Sequence, residues 1–452
     1  MKPALLAITI PLILACAPAS AENAEGYWSG SIANALKVSV HFAKSNDNVW
    51  EATITVPSQN LVARVDQVMV TPERISFKMA KLKASYAATW DPAQQAWIGS
   101  WMQGGVMPLN LTRSSAAALQ PKRPQEDAIG SSAPTYASTD VRFGSLAGTL
   151  TVPRGAGPFP AVVLVHGSGA IDRDGTVFNH QPYLVLADHL SRRGIAVLRY
   201  DKRGVGKSGG DLKAATTLDL AADAEAAVAL LRSRADIDQR HVGVIGHSEG
   251  GLIAPLIASR DGKLAFAVLL AAPGIRGDRL LVEQLALTSK ARGATDAVVA
   301  RDRALHQALF ATMVAEPTAQ AARAKVAVLL DQAEQRGDIP AGAATALLER
   351  FGTPWFHTLM RYDPVPVLQA LRQPVLVLNG ERDLQVPADL DLSAIRLALR
   401  GNDRAVVKQL PGLNHLFQTA ATGSPAEYSE IEETFAPAAL EVISTWITAT
   451  VR

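Results

Sequence analysis

Alternation between hydrophobic and polar positions dominates the chain from about residue 26 to residue 113. A period of two places every second side chain on one face, as in a β-strand with one buried side. Turn-forming residues separate these runs at short intervals, so we predict an antiparallel all-β domain over residues 22–113, an up-and-down sheet or half barrel. The clearest runs are Leu36–Phe42, Trp50–Val56 and Arg74–Met79.

Two similar segments bound this domain. It opens with Tyr27–Gly30 and closes with Ile98–Trp101, and each segment combines Trp, Ser and Gly, so we expect the first and last strands to be neighbours. The residues that follow are rich in Ser, Ala, Pro and charged side chains, and we interpret residues 114–135 as a linker.

From residue 136 onward, short continuous apolar runs alternate with longer segments of helical period. Such runs are typical of parallel strands that are covered on both faces. The alternation predicts an α/β domain over residues 136–452 with a doubly wound, mostly parallel sheet. The predicted strands are Ala161–Val165, Ala196–Tyr200, Val242–Ile245, Ala267–Leu270, Val375–Leu378 and Ala405–Leu410, and the predicted helices are Tyr183–Arg193, Leu218–Arg234, Gly250–Arg260 and Pro437–Thr450.

One insertion interrupts this alternation. The segment between Ala272 and Val375 is far longer than a single crossover needs, and it is rich in Ala, Leu and Arg. We predict a helical cap over residues 277–361, above the carboxyl edge of the sheet.

The first 21 residues have the pattern of an export signal. Lys2 precedes the apolar run Ala4–Ala15, and Ala19-Ser20-Ala21 supplies small residues for cleavage before Glu22. This run is shorter than the roughly 20 residues that span a bilayer, and no later stretch is long and apolar enough, so we predict no transmembrane helix. We expect a periplasmic or secreted protein.

The single cysteine of the chain lies inside this signal. Cys16 follows Ile13-Leu14-Ala15, which resembles a bacterial lipobox and would give a lipid-anchored outer-membrane lipoprotein. We favour ordinary cleavage after Ala21, because Leu14 suits its lipobox position poorly. In either case the mature chain has no disulfide and no catalytic cysteine.

Composition restricts the class of partner. Hydrophobic residues make up 48% of the chain and charged residues 19%, which supports a large core. The 44 basic and 42 acidic residues nearly cancel, leaving +2 without a long basic block. We therefore expect a small or neutral molecule as substrate and no nucleic acid as partner.

The segment Gly246-His247-Ser248-Glu249-Gly250 matches Gly-x-Ser-x-Gly between a predicted strand and a predicted helix. This context is that of a nucleophile elbow, in which small residues permit a strained turn that exposes the serine hydroxyl. The helix amino terminus behind the turn favours negative charge on the reacting oxygen. We therefore predict Ser248 as a nucleophile, and we expect His247 to pack beneath the turn.

An acid and a histidine follow in the order that this site requires. Asp383 lies in the loop after the strand Val375–Leu378, and His415 lies just past the strand Ala405–Leu410. Both loops should reach the edge that carries Ser248. Glu381, Asp389 and Asp391 are nearby alternatives to Asp383.

Acyl transfer also requires donors for a developing oxyanion. His166-Gly167-Ser168-Gly169 follows the strand Ala161–Val165, where that loop is expected, and its glycines allow close approach of the backbone. We predict the backbone N–H groups of Ser168 and Glu249 as the donors, with Gly167 or Gly169 as alternatives to Ser168. We interpret His166 itself as a structural residue.

Two charged segments have other interpretations. Arg203–Ser208 resembles a phosphate loop, but Asp201 occupies the position where that motif needs glycine. Asp172-Arg173-Asp174 is either a surface cluster or an ion-paired network that braces the preceding loop. The remaining histidines show no ligand spacing, so we predict neither a catalytic metal nor a cofactor.

In combination these residues resemble the exported bacterial α/β-hydrolase serine esterases that carry a small N-terminal β-domain. The resemblance covers residues 136–275 and 362–452, and it reaches the cap by architecture alone. It implies the α/β-hydrolase fold and hydrolysis of carboxylic esters. The matching motifs are His166–Gly169 with Asp172–Asp174, Asp201–Ser208, Gly246–Gly251, Gly380–Pro387 and His415.

We therefore expect Ser248, His415 and Asp383 to hydrolyse small to medium esters through an acyl-enzyme. The alternative is a serine peptidase or amidase of the prolyl-oligopeptidase kind. Those enzymes usually carry a β-propeller, which at about 40–50 residues per blade does not fit a β-domain of this size. In the cap, Leu305, Leu309, Phe310 and Met313 recur at helical spacing, and they either line an acyl pocket or pack one cap helix on another.

Overall fold

The computed structural model describes residues 24–33, 36–56, 61–115, 122–131 and 133–452. The predicted export signal and Cys16 lie outside the described residues. Contacts between Cα atoms divide the chain into two compact units, residues 1–120 and residues 121–452. No helix in these described ranges is long and apolar enough to cross a membrane.

The first unit is a single antiparallel sheet. Its strands are β1 Gly26–Ile32, β2 Leu36–Lys44, β3 Trp50–Val56, β4 Leu61–Arg64, β5 Gln67–Val70, β6 Arg74–Met79, β7 Ala84–Asp91, β8 Ala96–Met102, β9 Val106–Pro108 and β10 Leu111–Ser114. They are ordered β4-β3-β2-β1-β10-β8-β7-β6-β5, with β9 paired to β8.

The sheet curls because its two outermost strands are consecutive in the chain. β4 and β5 stand at opposite ends of the strand order, yet only Val65 and Asp66 separate them. The Val65 N–H donates to Ala52 of β3, and the Asp66 N–H donates to Lys78 of β6. The chain therefore crosses from one edge to the other within two residues, and the predicted antiparallel half barrel is confirmed.

The expectation about the closing strand is wrong. Ile98–Trp101 belong to β8, whereas β1 pairs with β10, with Ser29 opposite Thr112. β10 lies between β1 and β8. A strand of four residues with a single buried side chain, Leu111, shows too little alternation to be recognised from sequence.

Large aromatic side chains form the core of this sheet. Trp28, Trp97 and Tyr86 are fully buried, and Phe42 and Phe77 pack with them. The Trp28 indole N–H donates to the Ala24 carbonyl at 2.8 Å, which removes the cost of burying that polar group. Alternate residues of β3 and β6 point into this core, as their period of two predicted.

The second unit contains an eight-stranded sheet. Its strands are β11 Tyr136–Phe143, β12 Leu146–Pro153, β13 Phe159–Val165, β14 Ala196–Tyr200, β15 Ile237–His247, β16 Ala267–Leu270, β17 Val375–Gly380 and β18 Ala405–Leu410. The order is β11-β12-β14-β13-β15-β16-β17-β18. Only β11 and β12 run antiparallel to their neighbours, so the predicted mostly parallel sheet is confirmed.

Helices cover both faces of this sheet, as the continuous apolar strands require. The helices of the unit are α1 Pro124–Ser131, α2 Pro182–Ser191, α3 Thr217–Arg232, α4 Gly250–Arg260, α5 Gly277–Ala291, α6 Asp296–Ala315, α7 Ala319–Arg336, α8 Ala343–Phe351, α9 Pro354–Arg361, α10 Val365–Ala370, α11 Ala388–Ala398 and α12 Pro437–Thr450. One core lies beneath α3, α4, α10 and α11, and a second lies beneath α2 and α12.

Helices α5 to α9 form the insertion that the sequence predicts as a cap. Three of them begin at a threonine whose hydroxyl accepts an N–H of the first turn: Thr295, Thr318 and Thr353. Their shared core contains Phe310, Phe351 and Phe356. The cap therefore has a hydrophobic core of its own.

The segment interpreted as a linker contains α1, and its first residues are bound to two distant loops. Arg123 donates to the carbonyls of Ser429 (2.8 Å) and Ile431 (3.0 Å) and to that of Asn179 (2.8 Å). The Gln125 side-chain amide donates to the Phe435 carbonyl through Nε2 and accepts the Phe435 N–H at Oε1. The second half of residues 114–135 is thus part of the α/β unit, because its side chains supply partners for backbone groups there.

We predict that Arg123→Ala lowers the free energy of unfolding of the α/β unit by about 2–3 kcal/mol, because the partly buried carbonyls lose charge-assisted donors. Urea denaturation measures this change. Arg154→Ala is the matched control, since this exposed side chain has no hydrogen-bond partner among the described residues. Equal stability of the two variants would mean that the segment behaves as a linker.

Candidate active site

Ser248 lies in the turn between β15 and α4. Its φ of 55° is in the left-handed region, which residues with a side chain rarely adopt. The Ser248 N–H donates to the Leu270 carbonyl at 2.9 Å, and its carbonyl accepts the Gly251 N–H at 2.8 Å. The surrounding backbone therefore holds the serine in a strained conformation at the carboxyl edge of the sheet.

The glycines around Ser248 are required by close backbone contact. A Cβ at Gly246 would lie 1.9 Å from the Gly250 carbonyl oxygen, and a Cβ at Gly250 would lie 2.2 Å from that of Val165. At Gly251 it would meet Ala272 at 2.4 Å. Three small residues thus let the turn, β13 and the loop after β16 pack directly against one another.

Asp383 and His415 meet across adjacent strands. Asp383 follows β17 and His415 follows β18, and these strands are parallel neighbours. His415 Nδ1 lies 2.8 Å from Asp383 Oδ2, and both side chains are buried. Because a carboxylate only accepts, Nδ1 carries the proton and Nε2 keeps a lone pair. The N–H groups of Gln385 and Val386 donate to Asp383 Oδ1 and fix the carboxylate.

The other acids near Asp383 bind elsewhere. Glu381 accepts the Gly412 N–H at 2.8 Å, and Asp389 is exposed on the first turn of α11. Asp391 is fully buried and accepts the Gly274 N–H at 2.7 Å. Of the four acids considered from sequence, the structure brings only Asp383 into contact with His415.

Polar side chains hold the His415 loop, and of these only His247 was considered from the sequence, as a residue that packs beneath the turn. Asn414 Oδ1 accepts the N–H groups of Leu416 and Gln418, and the Gln418 amide reaches the His180 ring at 2.8 Å. His247 Nε2 donates to the His415 carbonyl at 2.9 Å. Burial, with the nearby His415, lowers the pKa of His247 to about 3, so this ring is neutral and acts as a fixed donor. No local signal marks Asn414 or Gln418, because their partners are distant in sequence.

The loop after β13 lies directly beside the serine. A Cβ at Gly167 would lie 3.2 Å from the Ser248 Cβ. The Gly167 N–H donates to the Tyr183 hydroxyl at 3.3 Å, whereas the N–H groups of Ser168 and Glu249 have no partner in the part of the chain that the structure describes. Both residues also line the cavity that contains Ser248. Burial lowers the pKa of His166, at the start of this loop, to about 3.

A buried ion pair behind this loop was not predicted. Lys202 and Glu249 are 3% and 2% exposed, and Lys202 Nζ lies 3.5 Å from Glu249 Oε2. Lys202 also donates to the Gly167 carbonyl at 2.8 Å. Glu249 Oε1 accepts the Thr217 hydroxyl (2.8 Å) and the Trp355 indole N–H (2.7 Å). Lys202 was not predicted from the sequence because it lies in the motif after β14, in which the glycines form the recognisable pattern.

The segment Asp172–Asp174 forms an ion-paired network. Arg173 binds Asp201 through two nitrogens, at 3.0 and 2.7 Å, and its backbone N–H donates to the same carboxylate. Asp201 also accepts the Lys207 N–H at 2.9 Å, and a Cβ at Gly206 would lie 2.6 Å from it. Arg203–Ser208 therefore wraps around Asp201.

A cavity of about 310 Å³ contains the serine and the histidine. Ser168 and Glu249 line the same space, and α5 and α9 of the cap close it with Leu281, Trp355 and other mostly apolar side chains. Leu305, Leu309, Phe310 and Met313 are not among the residues that line it. The last three are buried in the cap core, so they pack cap helix on cap helix.

A model of the alpha/beta hydrolase family matches residues 162–430, more than half of the chain. The chain belongs to the alpha/beta hydrolase family. This family match includes the turn at Ser248, Asp383 and His415, and it confirms the resemblance to α/β-hydrolases seen in the sequence.

Esterase EstD of Thermotoga maritima is 30% identical to this hydrolase over 297 residues, which are 65% of this chain and 63% of that protein. This chain thus spans less than two thirds of that relative. Among solved structures, an esterase of Pyrococcus furiosus has 15% identity and a TM-score of 0.43, with 70% of this chain and 92% of that chain covered. Proline iminopeptidase of Mycobacterium smegmatis has 20% identity and a TM-score of 0.41, with 70% and 98% covered.

Within the described ranges, no group of three or more His, Cys, Asp or Glu side chains of this hydrolase could hold a metal ion. The buried Asp391 is a further titratable group with a shifted pKa. Burial raises its pKa to about 7, the negative charge of Asp383 adds to this rise, and the Gly274 N–H opposes it. Asp391 Oδ2 has no hydrogen-bond partner among the described residues, so no donor there stabilises a negative charge on that oxygen.

We predict that the free energy of unfolding of wild type falls relative to that of Asp391→Asn as the pH rises from about 4 to about 7, against the opposite contribution of the buried His166 and His247. An unfolded aspartate titrates near pH 4, so at this group the folded state holds one more proton in this window, and Asp391 contributes a loss of about 1.4 kcal/mol per pH unit. Asp391→Asn should remove this slope, and Asp389→Asn should not. Urea denaturation at pH 5, 6 and 7 tests this, and parallel profiles for wild type and Asp391→Asn would contradict it.

Proposed function

We propose that this hydrolase cleaves carboxylic esters with Ser248 as nucleophile, His415 as base and Asp383 as the acid that orients the histidine. The observation that carries the proposal is one cavity that contains Ser248 in a strained turn and the His415 ring, whose Nδ1 is bound to Asp383. Esterase EstD, a relative at 30% identity, is named for the same chemistry.

In the proposed reaction, His415 Nε2 removes the hydroxyl proton of Ser248 as Oγ attacks the ester carbonyl. The N–H groups of Ser168 and Glu249 stabilise the oxyanion of the tetrahedral intermediate. His415 then gives its proton to the leaving alcohol, and the acyl group remains on Ser248. Water activated by His415 releases the acid and restores the serine.

The cavity supports esters of small to medium size. Its volume of about 310 Å³ and its mostly apolar walls suit an acyl or alcohol group of a few carbons. Two residues with charged side chains, Arg350 and Glu249, line the cavity. Arg350 is a cation, and the Glu249 carboxylate is bound by Lys202, Thr217 and Trp355, so neither offers a free carboxylate to a peptide amino terminus.

We predict that a fluorophosphonate probe labels the wild-type protein and that Ser248→Ala abolishes labelling, because the probe reacts only with an activated serine. Ser259→Ala is the matched control, since its hydroxyl donates to the Leu256 carbonyl in α4 outside the cavity. The same proteins are assayed with p-nitrophenyl esters of increasing chain length and with aminoacyl-p-nitroanilides. Equal labelling of wild type and Ser248→Ala would contradict the nucleophile, and preferred anilide turnover would contradict the ester.

We predict that Asp383→Asn lowers kcat for a p-nitrophenyl ester by about 10⁴-fold, because an amide no longer selects the required tautomer of His415. Asp389→Asn, an exposed change on the same segment, should leave kcat unaltered. Steady-state kinetics with circular dichroism of each variant measures this. A similar loss in both variants would assign the effect to the loop and not to the acid.

A further inference from the structure

We infer that Lys202 and Glu249 form a positioning pair that orients both oxyanion donors, an inference that rests on the proposed function. Neither side chain touches the reacting atoms. Each is connected to one donor: Lys202 binds the peptide that contains the Ser168 N–H, and Glu249 carries the second donor on its own backbone.

The contact of Lys202 determines the direction of the Ser168 N–H. The ammonium group donates to the Gly167 carbonyl at 2.8 Å, and this carbonyl belongs to the same peptide unit as the Ser168 nitrogen. That peptide is trans, because Gly157-Pro158 is the one cis peptide bond among the described residues. In a trans peptide the carbonyl and the N–H point in opposite directions. The hydrogen bond from Lys202 to the Gly167 carbonyl therefore directs the Ser168 N–H away from Lys202.

Hydrogen bonds and an ion pair also fix the side chain of Glu249, the residue that carries the second donor. One carboxylate oxygen faces Lys202, and the other accepts the Thr217 hydroxyl of α3 and the Trp355 indole of α9. Three elements distant in sequence thus fix the side chain of the residue that directly follows the nucleophile. A fixed side chain limits rotation of the Glu249 backbone, and its N–H keeps its direction.

Energetics argue for a role beyond stability. A buried ion pair commonly adds little or nothing to folding, because desolvation of the two charges offsets their attraction. Its position beside the oxyanion loop gives it another effect. The ammonium group withdraws electron density from the Gly167 carbonyl, which strengthens the attached N–H as a donor where water is excluded.

The pair also connects the cap to the oxyanion loop. Trp355 lines the cavity with its ring and donates to Glu249 with its indole nitrogen. From there the chain of contacts runs through Lys202 to Gly167. A substrate group that packs on the Trp355 ring therefore contacts the same network that orients the donors.

The test compares Lys202→Met with wild type, using p-nitrophenyl acetate as substrate and butylboronic acid as a tetrahedral adduct that places an oxygen in the oxyanion site. We expect kcat to fall about 10- to 100-fold with KM changed less than about two-fold, as for a contact that matters only in the transition state. The inhibition constant of butylboronic acid should rise by a similar factor.

Lys202→Met leaves Glu249 buried without its cation, so Lys202→Met/Glu249→Gln is the second variant. It removes both charges together and keeps the backbone N–H of residue 249. The amide oxygen of the new glutamine can still accept hydrogen bonds from the Thr217 hydroxyl and the Trp355 indole. We expect it to unfold near the wild-type temperature and still show the losses in kcat and in boronate affinity. Lys207→Met is the matched control, because this exposed lysine pairs with Asp140 and should change neither value.

Unchanged kcat and boronate affinity in a folded double variant would overturn the inference, and so would a rise in KM alone, which would assign Lys202 to substrate binding. The outcome is separate from that of the proposed function. If Ser248→Ala abolishes ester turnover while the double variant keeps full activity, the nucleophile stands and the positioning pair fails. If the wild type neither reacts with fluorophosphonate nor cleaves esters, the proposed function itself fails.

Discussion

Direct contact between backbone segments at the turn of Ser248 is the constraint on which the rest of the site depends. Gly246 and Gly250 allow the turn to close on itself, and Gly250 also allows β13 to lie against it. This packing places the oxyanion loop after β13 beside the serine. A Cβ at either glycine would lie within 2.2 Å of a backbone carbonyl oxygen, so any side chain there would force the backbone segments apart.

The remaining parts of the site are positioned by polar side chains that satisfy buried backbone groups. Asn414 and His247 hold the His415 loop, Asp201 and Arg173 hold the loop that follows the oxyanion segment, and Lys202 holds Gly167. Loops at the carboxyl edge of a parallel sheet have no ladder of their own, so each needs such partners. The hydrophobic sheet determines the positions at which the loops leave the strands, and these polar contacts determine the conformations of the loops.

The cap decides what can reach the serine. Its core is built from α5 to α9 together with Leu252 of α4 and is distinct from the cores on either face of the sheet, and α5, α8 and α9 also present side chains to the cavity. Trp355 belongs to both the cavity wall and the Glu249 network. The shape of the cavity and the geometry of the oxyanion donors are therefore properties of one connected structure.

Local patterns in the sequence determined the two kinds of sheet, the insertion and the elbow at Ser248, because period, glycine spacing and strand–helix order act over few residues. Chain order placed Asp383 and His415 at the right edge, but only the folded chain showed which of four acids meets the histidine. The sequence could not reveal β10 as the closing strand, the role of Arg123, the Lys202–Glu249 pair or the cap residues around the cavity. Each of these depends on contacts between residues far apart in the chain, whose geometry is set by the packing of whole elements and not by any local signal.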